Sequence, residues 1–382
     1  MNGRIIVLIA IIPALIFSIT LNVYAQDENA AGQMPEEYYD MLGELPDEVS
    51  DKLPSGFDSD SVENIGEALT EMTAPKYLFS FIGDILGEGI GDAVKLMARL
   101  LGILIISAVF TSFKKSVGGE TLSRAVDFCS ICVIFSAVIE LQISQIRLVS
   151  DFFERLNSLM LGMIPVTCAV YAMGGNISTA AASGGSMYAY LAVSEFICAK
   201  SVIPITCVCS ALALCRGISP HINLQGIASG IRKCYTFVLG LIMTVLLFLL
   251  SAQTSITSAA DSTGARAAKL IASSMIPVVG GSVAETLRGV GGGIQYIKSV
   301  VGVSGIVFIL ILLLPTFISL LLTRFAFIVS ESVANLLGCD GEGRLMGDLG
   351  SVYGCMIATV SMCSVMFIFA LNIFIKTAVA LG

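Results

Sequence analysis

The chain has 382 residues, 55% of them hydrophobic and 13% charged, with no tryptophan. Soluble domains are nearer a quarter charged, and a mean hydropathy of +0.88 excludes an ordinary soluble fold in favour of a polytopic membrane protein. The net charge of -8 is uneven, with 14 acidic residues and only Lys52 and Lys76 as basic ones between Gln26 and Lys76. No Lys/Arg cluster exists to neutralise phosphates, which excludes nucleic acid as a partner.

In chain order, residues 1–25 read as a signal peptide. Arg4 supplies the positive start, Ile5 to Ile19 the apolar region, and Val23-Tyr24-Ala25 the cleavage site. Residues 26–94 read as an acidic extracytoplasmic segment. Val62, Ile65, Leu69 and Met72 fall at helical spacing, as do Leu42, Leu45, Val49 and Leu53, while Pro35, Pro46, Pro54 and Pro75 divide the segment into short pieces. Residues 77–94 form an amphipathic stretch with Asp84, Glu88 and Asp92 on one stripe, and are expected to lie as a surface helix against a protein partner.

The membrane domain is assigned to residues 95–382. A span at 96–113 ends at Lys114-Lys115, which the positive-inside rule places in the cytoplasm. The next span, 125–143, returns outward, and 144–160 reads as an interfacial helix with Arg147, Asp151, Glu154 and Arg155 on its polar face. An apolar run at 159–173, short for a span, contains Met163-Ile164-Pro165-Val166 and leads into Gly174-Gly175 and Gly184-Gly185. A long tract at 187–215 carries Glu195, Lys200 and Pro204, and a clear span follows at 234–252. The tetrapeptide then recurs as Met275-Ile276-Pro277-Val278, followed by Gly280-Gly281 and Gly291-Gly292-Gly293. Tracts at 299–322 and 352–375 complete the chain.

A four-residue match is within chance for a chain this long. The shared order is stronger: a span, a polar stretch, the tetrapeptide, glycines, an apolar tract with a later proline, and another span. Pro204 follows Pro165 by 39 residues and Pro315 follows Pro277 by 38. This predicts an internal duplication, about 125–233 and 234–375, within an all-α polytopic protein of six to eight transmembrane or re-entrant helices. Short Pro/Gly-interrupted segments at matching places in two halves are the sequence pointer to a transport path. Pro165, Gly174, Gly175, Gly184, Gly185, Pro277, Gly280, Gly281, Gly291, Gly292 and Gly293 are therefore candidate broken-helix, path-lining residues. Tight packing across Gly350/Gly354 and similar pairs is the competing explanation. Glu195 and Lys200 are the candidate intramembrane charges, since such charges are functional by default.

Enzymatic chemistry is not expected. Gly302-Val303-Ser304-Gly305 has the look of an intramembrane protease motif, but the single histidine, His221, lies in a loop at the opposite end of the reading. No nucleotide-binding loop is present. The eleven cysteines, including Cys129 and Cys132, lie in or beside apolar segments and read as small packing residues, so neither a metal nor a cofactor is expected.

The stretch SAADSTGARAAKLIASSMIPVVGGSVAETL at 258–287, the apolar tract and terminal span after it, and the MGGNISTAA region resemble the stage III sporulation protein AE family. The resemblance implies a subunit of the mother-cell complex that joins mother cell and engulfed forespore in endospore-forming bacteria. It further implies a location in the mother-cell membrane, with an ATPase and other subunits of that complex as partners beside membrane lipid. It brings no catalytic residues. The expected role is a membrane subunit of this channel or secretion complex, contributing to its permeation path. A non-conducting scaffold and a stand-alone secondary transporter are the alternatives, and self-association of the chain is left open.

Overall fold

The computed structural model describes residues 34–379 apart from 46, 51–52, 54–56, 58–61, 118–119, 219–223 and 276–279. The expected signal peptide, His221 and Pro277 lie outside the described residues. All regular structure among the described residues is helical: α1 (Glu36–Gly43), α2 (Asp47–Ser50), α3 (Val62–Thr73), α4 (Pro75–Val117), α5 (Glu120–Met173), α6 (Ile177–Ser194), a π-helical turn (Glu195–Ala199), α7 (Lys200–Ile218), α8 (Leu224–Met275), α9 (Gly280–Leu336) and α10 (Asp340–Lys376). Six helical stretches are long and apolar enough to cross a membrane: Lys76–Phe110, Phe128–Met173, Ile177–Gly217, Gly226–Gly264, Val290–Leu336 and Asp340–Lys376.

The centre of the bundle is the antiparallel pair α9–α10. In their most apolar stretches 78% and 72% of residues are buried, against 17% in α4 and α8, which lie outermost. Glycines set how closely the pair approaches. On α10, Gly347 meets the Glu331 carboxylate, Gly350 meets Phe327 and Gly354 meets Arg324; on α9, Gly302 meets Ile375 and Gly305 meets Leu371. A methyl group at these positions would hold the axes apart.

The helices end where local chemistry dictates. Gly175 (φ 75°) and Gly338 (φ 73°) adopt the left-handed conformation. The amides of Asn176 and Cys339 reach back to Tyr171 O and Ala334 O at 2.9 Å each, so α5 and α9 stop in Schellman motifs.

Three expected boundaries are absent. The stretches 77–94 and 96–113 are one helix, α4, and 125–143, 144–160 and 159–173 are one helix, α5. Pro165 does not break α5, because its ring sits on the exposed face while Met163, Ile164 and Val166 are buried and hold the turn, and the Thr167 hydroxyl donates to Ile164 O at 2.9 Å. The helix likewise runs through Pro204, with its irregularity one turn earlier at Glu195–Ala199.

The acidic segment is part of the main core. Val62, Ile65, Leu69 and Met72 are all buried, Tyr38 and Met41 are buried beside α5, and the Phe57 ring lies 5.9 Å from that of Phe308. Burial pushes the Tyr38 phenol well above its usual range.

Candidate functional site: two polar layers and an irregular middle

Polar side chains gather at the two ends of the central pair. At one end, the Ser107 hydroxyl donates to Glu342 at 2.5 Å. One residue of α7, Arg216, donates to Asp348 at 2.7 Å, and Arg232 of α8 stands 4.0 Å from the same carboxylate. Glu331 lies against Gly347 close by. Several donors here are buried with no acceptor: Arg324 Nε and Nη1, Arg232 Nη1 and Arg344 Nε. Such groups cost several kcal/mol in a low-dielectric interior unless water or an anion reaches them.

At the other end, Lys298 is 1% exposed. Its ammonium donates to Thr377 O, just past the C-terminus of α10, and lies 4.7 Å and 5.3 Å from the ring centroids of Tyr171 and Phe374. A cation at a helix C-terminus, held over aromatic faces, recovers much of its desolvation cost. Tyr171 Oη is 3.3 Å from Thr377 Oγ1, and Asn176 donates to Ala378 O at 3.2 Å. Nearby, Asp261 of α8 caps α6. Its carboxylate accepts from Ser178 N at 3.1 Å, Thr179 N at 2.9 Å and Thr179 Oγ1 at 2.7 Å. This contact joins the MGGNISTAA and SAADSTGA stretches, the parts of the chain that carry the family likeness.

The two layers are separated by the length of α10 from Glu342 to Thr377, about 50 Å at 1.5 Å per residue. This exceeds a hydrocarbon core of about 30 Å and is close to the full bilayer with its headgroups. Midway, the π-helical turn packs Ser194 against Cys363 (Oγ to Sγ 3.3 Å) and Tyr190 edge-on to Phe367. A π turn widens the backbone and recurs at functional positions.

The sequence-selected residues separate accordingly. Gly174 is buried against Val379, and Gly175 makes the positive-φ turn at the Lys298 end. Gly184 lies 3.1 Å from Cys168 Sγ, and Gly185 is exposed. Gly280 and Gly281 open α9, while Gly291, Gly292 and Gly293 occupy its early turns, also at the Lys298 end. The glycine-rich elements thus fall at one end of the bundle rather than at its middle. The middle holds Glu195, in the π turn, and Lys200, directly after it and exposed. Sequence reasoning missed Asp261, Asp348 and the burial of Lys298. Only Asp261 left a signal, as the lone aspartate within the 258–287 stretch.

These features define a class: an all-α, multi-pass membrane protein with a tightly packed central hairpin and polar layers at both ends. The chain belongs to the stage III sporulation protein AE family, whose sequence model matches residues 60–378, across all six long apolar helices. It is similar to the stage III sporulation protein AE of Bacillus subtilis (strain 168), with 20% identity over 305 residues, covering 78% of this chain and 74% of the relative. No solved structure matches. Family membership gives the chain a role in sporulation.

Proposed function

We propose that this chain is a membrane subunit of a mother cell–forespore channel or secretion complex, and that it contributes to the permeation path. In this reading the first 25 residues direct export, the part of the acidic segment before α4 lies outside the mother-cell membrane, and an ATPase subunit supplies the energy that this chain has no nucleotide-binding loop to use. The observation that carries a path, rather than a purely mechanical part, is the set of buried guanidinium donors without acceptors, Arg324 above all. Water reaching them hydrates one end of the bundle interior.

A scaffold reading is favoured by the close packing of α9 on α10. The two readings part on Arg324→Ala. As a path component, the variant is expected to co-purify with its partners normally while late forespore gene expression and heat-resistant spore yield collapse. If spore yield instead follows assembly in every variant, the path reading is wrong and the scaffold stands. Deleting the whole chain in a spore-forming host tests the sporulation role itself.

A further inference from the structure

The bundle has two different sides at the same height. Two registers between α9 and α10 define a band: Arg324 against Gly354, and Gly305 against Leu371. The band spans about 25 Å of helix, most of a hydrocarbon core. Gly240 of α8 meets Met362 within it, and around that point α8 exposes Phe237 (70%), Leu241, Val245, Phe248 (71%) and Leu249. This is a lipid-facing surface.

The other side is polar over the same band. On α5, Met163 meets Gly305 at one edge, and Gln145 donates to Ser319 at 3.2 Å toward the other. Between and beside them Glu140, Ser144, Arg147, Asp151, Glu154 and Ser158 are all exposed, spaced four, three, four, three and four apart. That spacing keeps them in one stripe, about 27 Å long. Alongside, α4 meets α9 at Gly89 and Leu322; it exposes Asp84 within the band, and Asp92, Lys95 and Arg99 continue the polar face past the Arg324 edge. Asp92 and Lys95 pair at 3.0 Å with side chains about four-fifths exposed. Lipid cannot solvate such a face at a depth where α8 requires lipid.

We propose that several copies of this chain enclose an aqueous lumen, each turning its α4–α5 polar face inward and its α8 face outward to lipid. The proposal rests on the permeation-path reading: it locates the membrane-crossing stretch of the path between copies, with the Arg324 layer at one end of each bundle. Charge balance favours a lumen over two faces pressed together. Five acidic residues (Asp84, Asp92, Glu140, Asp151, Glu154) outnumber three basic ones (Lys95, Arg99, Arg147), so direct pairing would desolvate like charges. Exposed Ile139, Ile143, Phe79 and Ile90 flank the polar residues and supply what a neighbouring copy would cover. The acidic excess suits small hydrophilic solutes, with cations favoured over anions.

The test uses the full chain in assembled complex in sporulating membranes. Ser144→Cys and Ser158→Cys probe the stripe, and Val245→Cys and Leu249→Cys probe α8. The probe is a trimethylammonium methanethiosulfonate, with the labelled peptide located by mass spectrometry because the chain has native cysteines. Reaction needs thiolate, which forms in water and not in lipid. The stripe thiols are therefore expected to react orders of magnitude faster than the α8 thiols, their adducts to stop late forespore expression, and Ile143→Cys to form a disulfide between two copies. Stripe thiols protected in the complex but reactive after detergent extraction would mean that another protein covers the face, overturning the proposal. Reactive thiols whose adducts leave the forespore unaffected would overturn it too. Failure of the permeation-path reading is separate, since it would appear in Arg324→Ala, and failure of the sporulation role would appear in the deletion strain.

Discussion

Asp261 does the work of a helix cap from a different helix. The first amides of α6 have no intrahelical acceptor, and one carboxylate satisfies two of them and a hydroxyl besides. Replacing a cap costs about 1 kcal/mol, up to about 2. Asp261→Ala is therefore expected to lower the Tm of detergent-solubilised protein, and Asp261→Asn, which keeps one acceptor oxygen, to lower it less. A thermal melt followed by helical circular dichroism checks the order. Equal losses in the two variants would mean that the negative charge at the helix terminus matters more than the geometry of acceptance. Neither Asp261 nor Lys298 declares its partner in the sequence, because the partners lie 82 or 83 and 79 residues away.

At the scale of elements, the α9–α10 contact depends on glycine. A side chain at 347 must displace the Glu331 carboxylate, and overpacked sites typically cost about 1–3 kcal/mol. Gly347→Val is expected to destabilise the protein. Gly292, with nothing within 4 Å of where a Cβ would stand, is the control. There Gly292→Ala is expected to stabilise by up to about 1 kcal/mol through helix propensity. Chemical denaturation of both variants in the same detergent tests the pair of signs.

Helix identity was legible for strongly periodic segments such as Val62–Thr73, where Val62, Ile65, Leu69 and Met72 all turn inward. Helix length was not. Asp84, Arg147 and Asp151 looked like boundaries because charges normally leave the bilayer, yet backbone hydrogen bonding runs on regardless of side-chain polarity. The glycines singled out in the sequence fall at the Lys298 end, away from the polar α4–α5 face of the candidate path. Its charged face needs α4 and α5 side by side, which no local pattern reveals.

Taken whole, the molecule is one core that includes the acidic segment. Phe57 is 1% exposed against Phe308, and large-to-small changes at such aromatic sites cost about 3–5 kcal/mol. Because the loss falls on a short segment, Phe57→Ala is expected to loosen the cover before the bundle. Limited proteolysis should cut between α1 and α3 in the variant at protease levels that leave the native chain intact, with the bundle fragment still resistant. Simultaneous digestion of both would show that cover and bundle unfold as one unit.

That cover also imposes an order in time. Phe57 and Phe308 are about 250 residues apart, and at 5–20 residues per second the ribosome takes about 10–50 s to make the chain between them. The acidic helices are thus born long before the surface they rest on. Through that interval Tyr38, Ile65, Leu69 and Met72 must remain wet or be held by something else. Those helices, synthesised early, are among the last elements that can fold.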